Sequence, residues 1–261
     1  MDESLNVLVI GDVVGKPGRR IVSRKLADLR NEHRVDMVIA NGENGAGGNA
    51  ITPSVCHELF DSGVDVITTG NHVWDNKDIL SIIDTEPRLL RPANFPPGVP
   101  GHGVFTGIAN GWPVCVVNLQ GRVHLPPLDC PFRAFDSIHG RFGRDYRIML
   151  VDLHAEASSE KRAFGWYADG RASAVFGTHT HIQTADEELL PRGTAYITDI
   201  GMTGSFNSVI GMDKEKSIER FITQARVKYD IAEGNVKLNG ALISIKPDGR
   251  AAGITRLIVA D

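Results

Sequence analysis

The chain has 261 residues, of which 42% are hydrophobic and 23% charged, and a formal net charge of -4. This ordinary soluble composition argues against a broad basic surface for long nucleic acid, although small anionic ligands stay open where metal ions or helix N-termini supply the positive charge. No apolar run approaches the roughly 20 residues of a membrane helix, and the acidic start Met1-Asp2-Glu3-Ser4 is unlike a secretory signal, so a cytoplasmic protein with no membrane partner is expected.

In chain order, Val7-Leu8-Val9-Ile10 reads as a strand running into Gly11-Asp12. A helix begins near Pro17, with Ile21, Val22, Leu26 and Leu29 at helical spacing. Gly11 to Lys16 fails as a phosphate-binding loop, because Gly15 follows Gly11 too closely and Pro17 follows the lysine. Met37-Val38-Ile39-Ala40 is a second strand, ending in the glycine-rich stretch from Asn41 to Asn49. Thr52 caps and Pro53 opens a helix through Phe60. The strand Val64 to Thr68 stops at Thr69-Gly70-Asn71-His72, and a helix starts over Asn76 to Leu80. Strands alternating with helices predict a parallel sheet.

The middle of the chain changes character. Arg91 to Gly98 is an extended, proline-rich loop, and Gly103 to Ile108 and Val114 to Leu119 flank the turn from Ala109 to Pro113 as a hairpin. Its antiparallel strands join a second sheet or widen the first. Leu125 to Pro131 reads as a loop that covers part of a site, and Phe132 to Ile138 as a short helix. The strand Tyr146 to Val151 runs into Asp152-Leu153-His154, and a capped helix starts at Ser158. Ala174-Val175-Phe176 then runs into Gly177-Thr178-His179-Thr180-His181. A strand over Ala195 to Gly201 precedes a helix through Ile218, Phe221, Ile222 and Ala225. The hairpin Ala241 to Ile245 and Ile254 to Val259 closes on Pro247-Asp248-Gly249. No repeat or long linker divides this series, so a single domain over residues 1–261 is expected. Cys56, Cys115 and Cys130 form no Cys-x-x-Cys pair and read as free thiols.

The strand ends carry the chemistry. Buried parallel strands that stop in tight turns set the turn residues on the rim of a cleft. Those turns supply Asp12, Glu43, Asn44, Asn71, His154, His179 and His181. Carboxylate, amide and imidazole groups suit divalent metals, and a two-metal hydrolytic site needs one bridging carboxylate with several ligands per ion. Taken singly, each residue is a turn former or a surface histidine. His179 and His181 are stronger together, since alternate residues of an extended segment project to one side. Turn chemistry does not account for the whole set.

The blocks Gly11-Asp12, Gly42-Glu43-Asn44, Gly70-Asn71-His72, His154 and Gly177-Thr178-His179-Thr180-His181 resemble, in order and content, those of the calcineurin-like metallophosphoesterases. Val14 stands where the first block of that superfamily has a histidine, and Glu43 replaces its bridging aspartate. These departures, with Arg91-Pro92-Ala93-Asn94, Asp152-Leu153-His154-Ala155-Glu156 and Thr198-Asp199-Ile200-Gly201-Met202-Thr203-Gly204, are similar to the YmdB-like branch of bacterial phosphodiesterases. The resemblance implies an α/β fold, a four-layer α-β-β-α sandwich of two mixed sheets. It implies one metal ion held by Asp12, Glu43, Asn44 and His181, and a second by Glu43, Asn71, His154 and His179, with Asn44 compensating for the histidine missing at Val14. Iron or manganese is favoured, and the ligand chemistry does not exclude zinc. The implied reaction is hydrolysis of a small phosphodiester, a cyclic nucleotide with a 2′,3′ or 3′,5′ ring, with His72 as general acid or as a residue orienting Asp12 or a phosphate.

Two rival functions share this metal core: a phosphomonoesterase, and a signalling or RNA-associated binding module. Net charge does not support RNA as the partner. The proline-rich loop and the middle hairpin are candidate surfaces for a homo-oligomer. Arg91 and Asn94 either touch the substrate or hold their own loop. Thr203 and Gly204 are candidates for the cleft wall, and Lys16, Arg19 and Arg20 for a basic rim or a solvated helix face.

Overall fold

The structure, a computed structural model, describes residues 4–261. The first half contains β1 (Leu5–Ile10), β2 (Asp12–Val13), α1 (Gly15–Glu32), β3 (Met37–Asn41), α2 (Pro53–Asp61), β4 (Val66–Thr68), β5 (Leu89–Leu90), β6 (Val104–Ala109) and β7 (Trp112–Gln120). The second half contains α3 (Pro131–Phe142), β8 (Ile148–His154), α4 (Ser158–Ala168), β9 (Ala174–Thr178), β10 (Glu188–Leu189), β11 (Ala195–Ile197), β12 (Met202–Ser205), α5 (Lys214–Thr223), β13 (Val236–Ile245) and β14 (Ala251–Ala260).

These strands make two mixed sheets. The first has the order β2-β12-β13-β1-β3-β4-β5, with β14 also paired to β13; β1, β3, β4 and β5 run parallel and β13 is antiparallel to β1. The second has the order β10-β11-β9-β8-β7-β6, parallel from β7 through β11 and antiparallel at both edges.

Side-chain alternation in β1 shows how the layers arise. Val7 and Val9 point into a core shared with Val116, Leu150 and Phe176 of the second sheet, while Leu8 and Ile10 point the other way, onto Ile21, Val22, Leu26 and Leu29 of α1. Each of those four helix residues is buried, and burying such a side chain is worth about 1.5–3 kcal/mol. The second sheet repeats the arrangement, turning Val117, Val151 and Val175 onto Phe135 of α3 and Phe164 of α4. Helices therefore cover the outer face of each sheet, as the four-layer expectation requires.

Several boundaries differ from the sequence reading. The segment after Asn76 is a 3-10 helix, Lys77–Ser81, whose Asn76 side chain accepts from the Asp78 N–H. The helix expected over residues 132–138 runs from Pro131 to Phe142, because Phe135, Ile138 and Phe142 continue one apolar face against the second sheet. The last helix stops at Thr223, where Gln224 takes a left-handed φ of 57°, so Ala225 lies outside it. The start at Ser158 has no side-chain cap, Ala157 being the N-cap. The middle hairpin turns on Asn110 and Gly111 alone, both at positive φ, a tighter turn than the one expected over 109–113. Cys56 and Cys115 are buried and Cys130 half-buried, all of them free. Among the described residues no helix is long and apolar enough to cross a membrane.

Candidate metal centre

The carboxyl ends of β1, β3, β4, β8 and β9 face one edge of the sandwich, and the turns beyond them bring the sequence-selected side chains together. His154 is the fixed point, with no solvent exposure. Its Nε2 lies 2.9 Å from Glu43 Oε1 and 3.0 Å from Asn71 Oδ1. Ligand atoms of Glu43, His154 and His179 all fall within 4.8 Å of one another, and the His154 and His179 rings are 4.7 Å apart. On the other side of Glu43, His179 N–H donates to Asp12 Oδ2 at 3.1 Å and His181 Nε2 is 3.7 Å from Asp12 Oδ1.

A close approach explains why glycine precedes Asn71. A Cβ on Gly70 would sit 2.1 Å from Cδ2 and 2.2 Å from Nε2 of His154, so any larger residue pushes the imidazole out. At the next position but one, the His72 N–H donates to Glu43 Oε2 at 3.3 Å and helps aim that carboxylate.

The tautomers follow from fixed partners. Asp152 accepts hydroxyl hydrogens from Thr178, at 2.7 Å, and from Thr68, so the Thr178 oxygen is left to accept from His154 Nδ1–H at 2.9 Å. His154 Nε2 thus turns its lone pair toward two acceptor oxygens, an arrangement that a proton or a cation must stabilise. His181 Nδ1–H donates to the Ile210 carbonyl at 2.9 Å, which leaves Nε2 for the cleft. His179 Nε2 is taken by Glu156 at 3.0 Å, leaving its Nδ1.

Electrostatics record the same crowding. Burial pushes the Glu43 carboxyl up, but the charge and hydrogen bond of His154, with His72 behind them, hold it at about 2. Burial alone would lower the His154 imidazole; Glu43, Asp12 and Asp152 outweigh it and raise it to about 9. Burial raises the Asp12 carboxyl despite His181 and His154, and raises Asp152 to about 6. Burial and the neighbouring His154 charge drop His179 to about 3.

Two further atoms test whether metal ions fit. Asp12 Oδ1 and Asn44 Oδ1 are buried acceptors without a hydrogen-bond partner, in a fold that otherwise pairs most such groups. The Asn44 amide nitrogen is occupied, donating to the Gly48 carbonyl at 2.9 Å, so the orphaned oxygen is free to ligate. Val14 is 1% exposed beneath Gly211 and offers no ligand. The donor set fits metal ions.

The His179-Thr180-His181 segment is strained. Both histidines have left-handed φ, 96° and 64°, a conformation costing about 1–3 kcal/mol per residue unless the surroundings enforce it. The enforcement comes from Asp199, whose Oδ2 accepts from Thr180 N–H at 3.2 Å and Thr180 Oγ1–H at 2.6 Å. The same oxygen meets Lys161 Nζ at 2.6 Å, in a pair whose side chains are 2% and 0% exposed.

Sequence reasoning gave no role to Glu156, Asp152, Thr178, Lys161 or Asp199, nor to Asp75, which accepts from His72 Nδ1–H at 2.8 Å. Asp75, Asp152 and Glu156 stand within three residues of a selected histidine, a signal that was there to read; Lys161 carries none. Arg19 forms no rim: its Nε meets Glu58 at 2.6 Å and its guanidinium donates to the Gly45 carbonyl at 2.5 Å, tying α1 to the Glu43 loop. Lys16 and Arg20 are exposed. Arg91 holds its own loop through the carbonyls of Pro92, Val99 and Pro100, and Asn94 donates to those of Gln120 and Asp129. Thr203 and Gly204 are committed to β12, beside β2 and β13, and do not line the cleft. Nor does the 125–131 loop; residues around 209–212 and helix α5 do.

Carboxylate, amide and imidazole side chains gathered at the shared edge of two face-to-face mixed sheets define the metallophosphoesterase class. The structure is similar to that of a protein of Thermus thermophilus, with a TM-score of 0.93 and 40% identity over 98% of this chain and 100% of the other. It is also similar to a crystal structure of a phosphatase of Mycoplasma pneumoniae, with a TM-score of 0.94 and 34% identity over 100% of this chain and 95% of the other. A Bacillus subtilis (strain 168) protein, 2′,3′-cyclic-nucleotide 2′-phosphodiesterase, is 49% identical over 258 residues, 98% of each chain. The YmdB-like protein family matches residues 8–257, and the chain belongs to that family.

Proposed function

We propose that the protein hydrolyses cyclic nucleotides at a centre of two metal ions, with the 2′,3′-cyclic ring as its preferred substrate. One observation carries the metal reading: His154 Nε2, Glu43 Oε1 and Asn71 Oδ1 converge with lone pairs inward, beside the orphaned oxygens of Asp12 and Asn44. Glu43, Asn71, His154 and His179 would hold one ion, and Asp12, Asn44, His181 and the shared Glu43 the other. Iron or manganese suits this mixture of carboxylate, amide and imidazole, and zinc is not excluded by it. When bound, such a pair supplies positive charge to the phosphoryl oxygens and acidifies the attacking water.

The chain's own groups do the rest. Glu156 and Thr178 fix the ring orientation of His179 and His154, and Asp199 holds the strained histidine turn. Asp75 takes Nδ1–H of His72, so Nε2 is the nitrogen available to deliver a proton to the leaving alkoxide. The choice of a 2′,3′ ring rests on the 49% identical Bacillus subtilis relative.

The test compares turnover of adenosine 2′,3′-cyclic phosphate, adenosine 3′,5′-cyclic phosphate and p-nitrophenyl phosphate, before and after chelation. Expected is metal-dependent hydrolysis with the 2′,3′ ring fastest. A monoester preference, or full activity after chelation, would overturn the reading.

A further inference from the structure

The cleft above the ligand cluster is a cavity of ≈ 350 Å³, within the range of small-molecule sites. Two chemically opposite sets of side chains line it. One is the ligand and acid set, with Glu43, His72, His179 and His181; the other is Val209, Ile210, Met212, Phe221 and Tyr229. Coordination uses none of the apolar set. The two are joined directly, since the carbonyl of Ile210 accepts from His181 Nδ1. Ile210 is also held at a φ of 48°, a left-handed conformation unusual for a β-branched residue.

This wall is open to solvent where a folded core would hide it. Phe221 is 71% exposed and Ile210 45%. Phe221 stands on α5, where Ile218, one turn before it on the same face, and Ile222 are exposed as well. The Arg220 guanidinium lies 4.9 Å from the Tyr229 ring centroid, which holds that ring in place. A ligand complementary to such a cleft has a phosphate at one end and a flat apolar group at the other.

We infer that the apolar wall is the nucleobase subsite, with Phe221 and Tyr229 as stacking faces, and that the base is selected by ring area and not by its edge. This inference rests on the phosphodiesterase reading above. Stacking tolerates every base, because every base has a π-face. Val209, Ile210, Met212 and Phe221 offer no side-chain hydrogen bond to a base edge, and the Ser217 hydroxyl beside them is buried, its hydrogen already donated to the Asp213 carbonyl at 2.7 Å. The remaining polar groups, the Tyr229 hydroxyl and the Asn49 amide, each donate and accept, so they accommodate any edge. Purines therefore bind better than pyrimidines, and the two purines bind alike.

The experiment measures kcat and KM on the four nucleoside 2′,3′-cyclic phosphates and on the base-free methyl riboside 2′,3′-cyclic phosphate. It uses the metal-loaded wild-type chain and the variants Phe221→Ala, Tyr229→Ala and Phe221→Tyr. Each alanine variant is expected to raise KM for the adenosine substrate about tenfold, in the range of a lost base–aromatic stack. Their kcat, and all constants on the base-free substrate, stay at wild-type values, while Phe221→Tyr behaves as wild type. An unchanged KM, an equal loss on the base-free substrate, or a preference for pyrimidines overturns the base subsite alone. Absence of wild-type turnover on all five substrates overturns the phosphodiesterase reading and this inference with it.

Discussion

Replacing Lys161 by methionine removes one half of an ion pair whose side chains are 2% and 0% exposed. Breaking such a pair on one side costs about 3–5 kcal/mol, because the remaining charge is stranded. Asp199 keeps donors from Thr180 N–H, Thr180 Oγ1–H and Gly201 N–H, so the lower end, about 3 kcal/mol, applies here. In a chain of this size each kcal/mol lowers Tm by about 2–4 °C, which gives a fall of about 6–12 °C. Asp199→Asn strands the lysine instead and weakens the clamp on Thr180, between two histidines held at left-handed φ. The double variant Lys161→Met/Asp199→Asn strands neither charge. It should recover at least about 2 kcal/mol relative to the sum of the single changes, yet still bind metal poorly, because the clamp on Thr180 stays weakened. Thermal unfolding of all four proteins after chelation, followed by metal titration of each, checks both halves. Additivity within about 0.5 kcal/mol, or recovery of metal affinity together with stability, would refute the reasoning.

Other consequences are equally direct. Gly70→Ala should displace His154 and abolish metal retention while leaving far-UV circular dichroism intact, since its Cβ would lie 2.1 Å from that ring; normal metal content in the purified variant would contradict this. His72→Ala should lower kcat by about 10²–10⁴, the usual share of a general acid, with metal content unchanged by elemental analysis; loss of both together would make the residue structural. Burial raises the Cys56 and Cys115 thiols to about 12. Both therefore stay un-ionised at about pH 9.5, and iodoacetamide should add a single carbamidomethyl group per native chain, at half-buried Cys130; a second adduct by mass spectrometry would show that the buried layers open.

The sequence carried the site further than it carried the fold's edges, for a physical reason. Each of the gathered side chains stands just beyond an apolar run, and such runs are visible because strands buried on both faces are apolar throughout, as Ile148 to Val151 shows. The strands β2, β5 and β10 are two residues each, too short to show an alternation, and β2 and β5 hold their places through neighbours distant in sequence. The pairing of Asp12 with Met202 and of Val13 with Thr203 is one such contact; it turned an expected cleft wall into sheet. Strand β13 begins at Val236, before the expected Ala241, because Lys237, Asn239 and Gly240 break the apolar alternation while still pairing with β14. The Lys161–Asp199 pair was hidden for the same reason, since the lysine reaches the carboxylate across 38 positions.

Anomalous diffraction from manganese-loaded crystals decides whether the proposed pair of cations sits between the β-strand turns. Two peaks are expected, one among His154, Asn71 and His179, the other among Asp12, Asn44 and His181, with Glu43 reaching both. A single peak, or peaks away from Glu43, would contradict it.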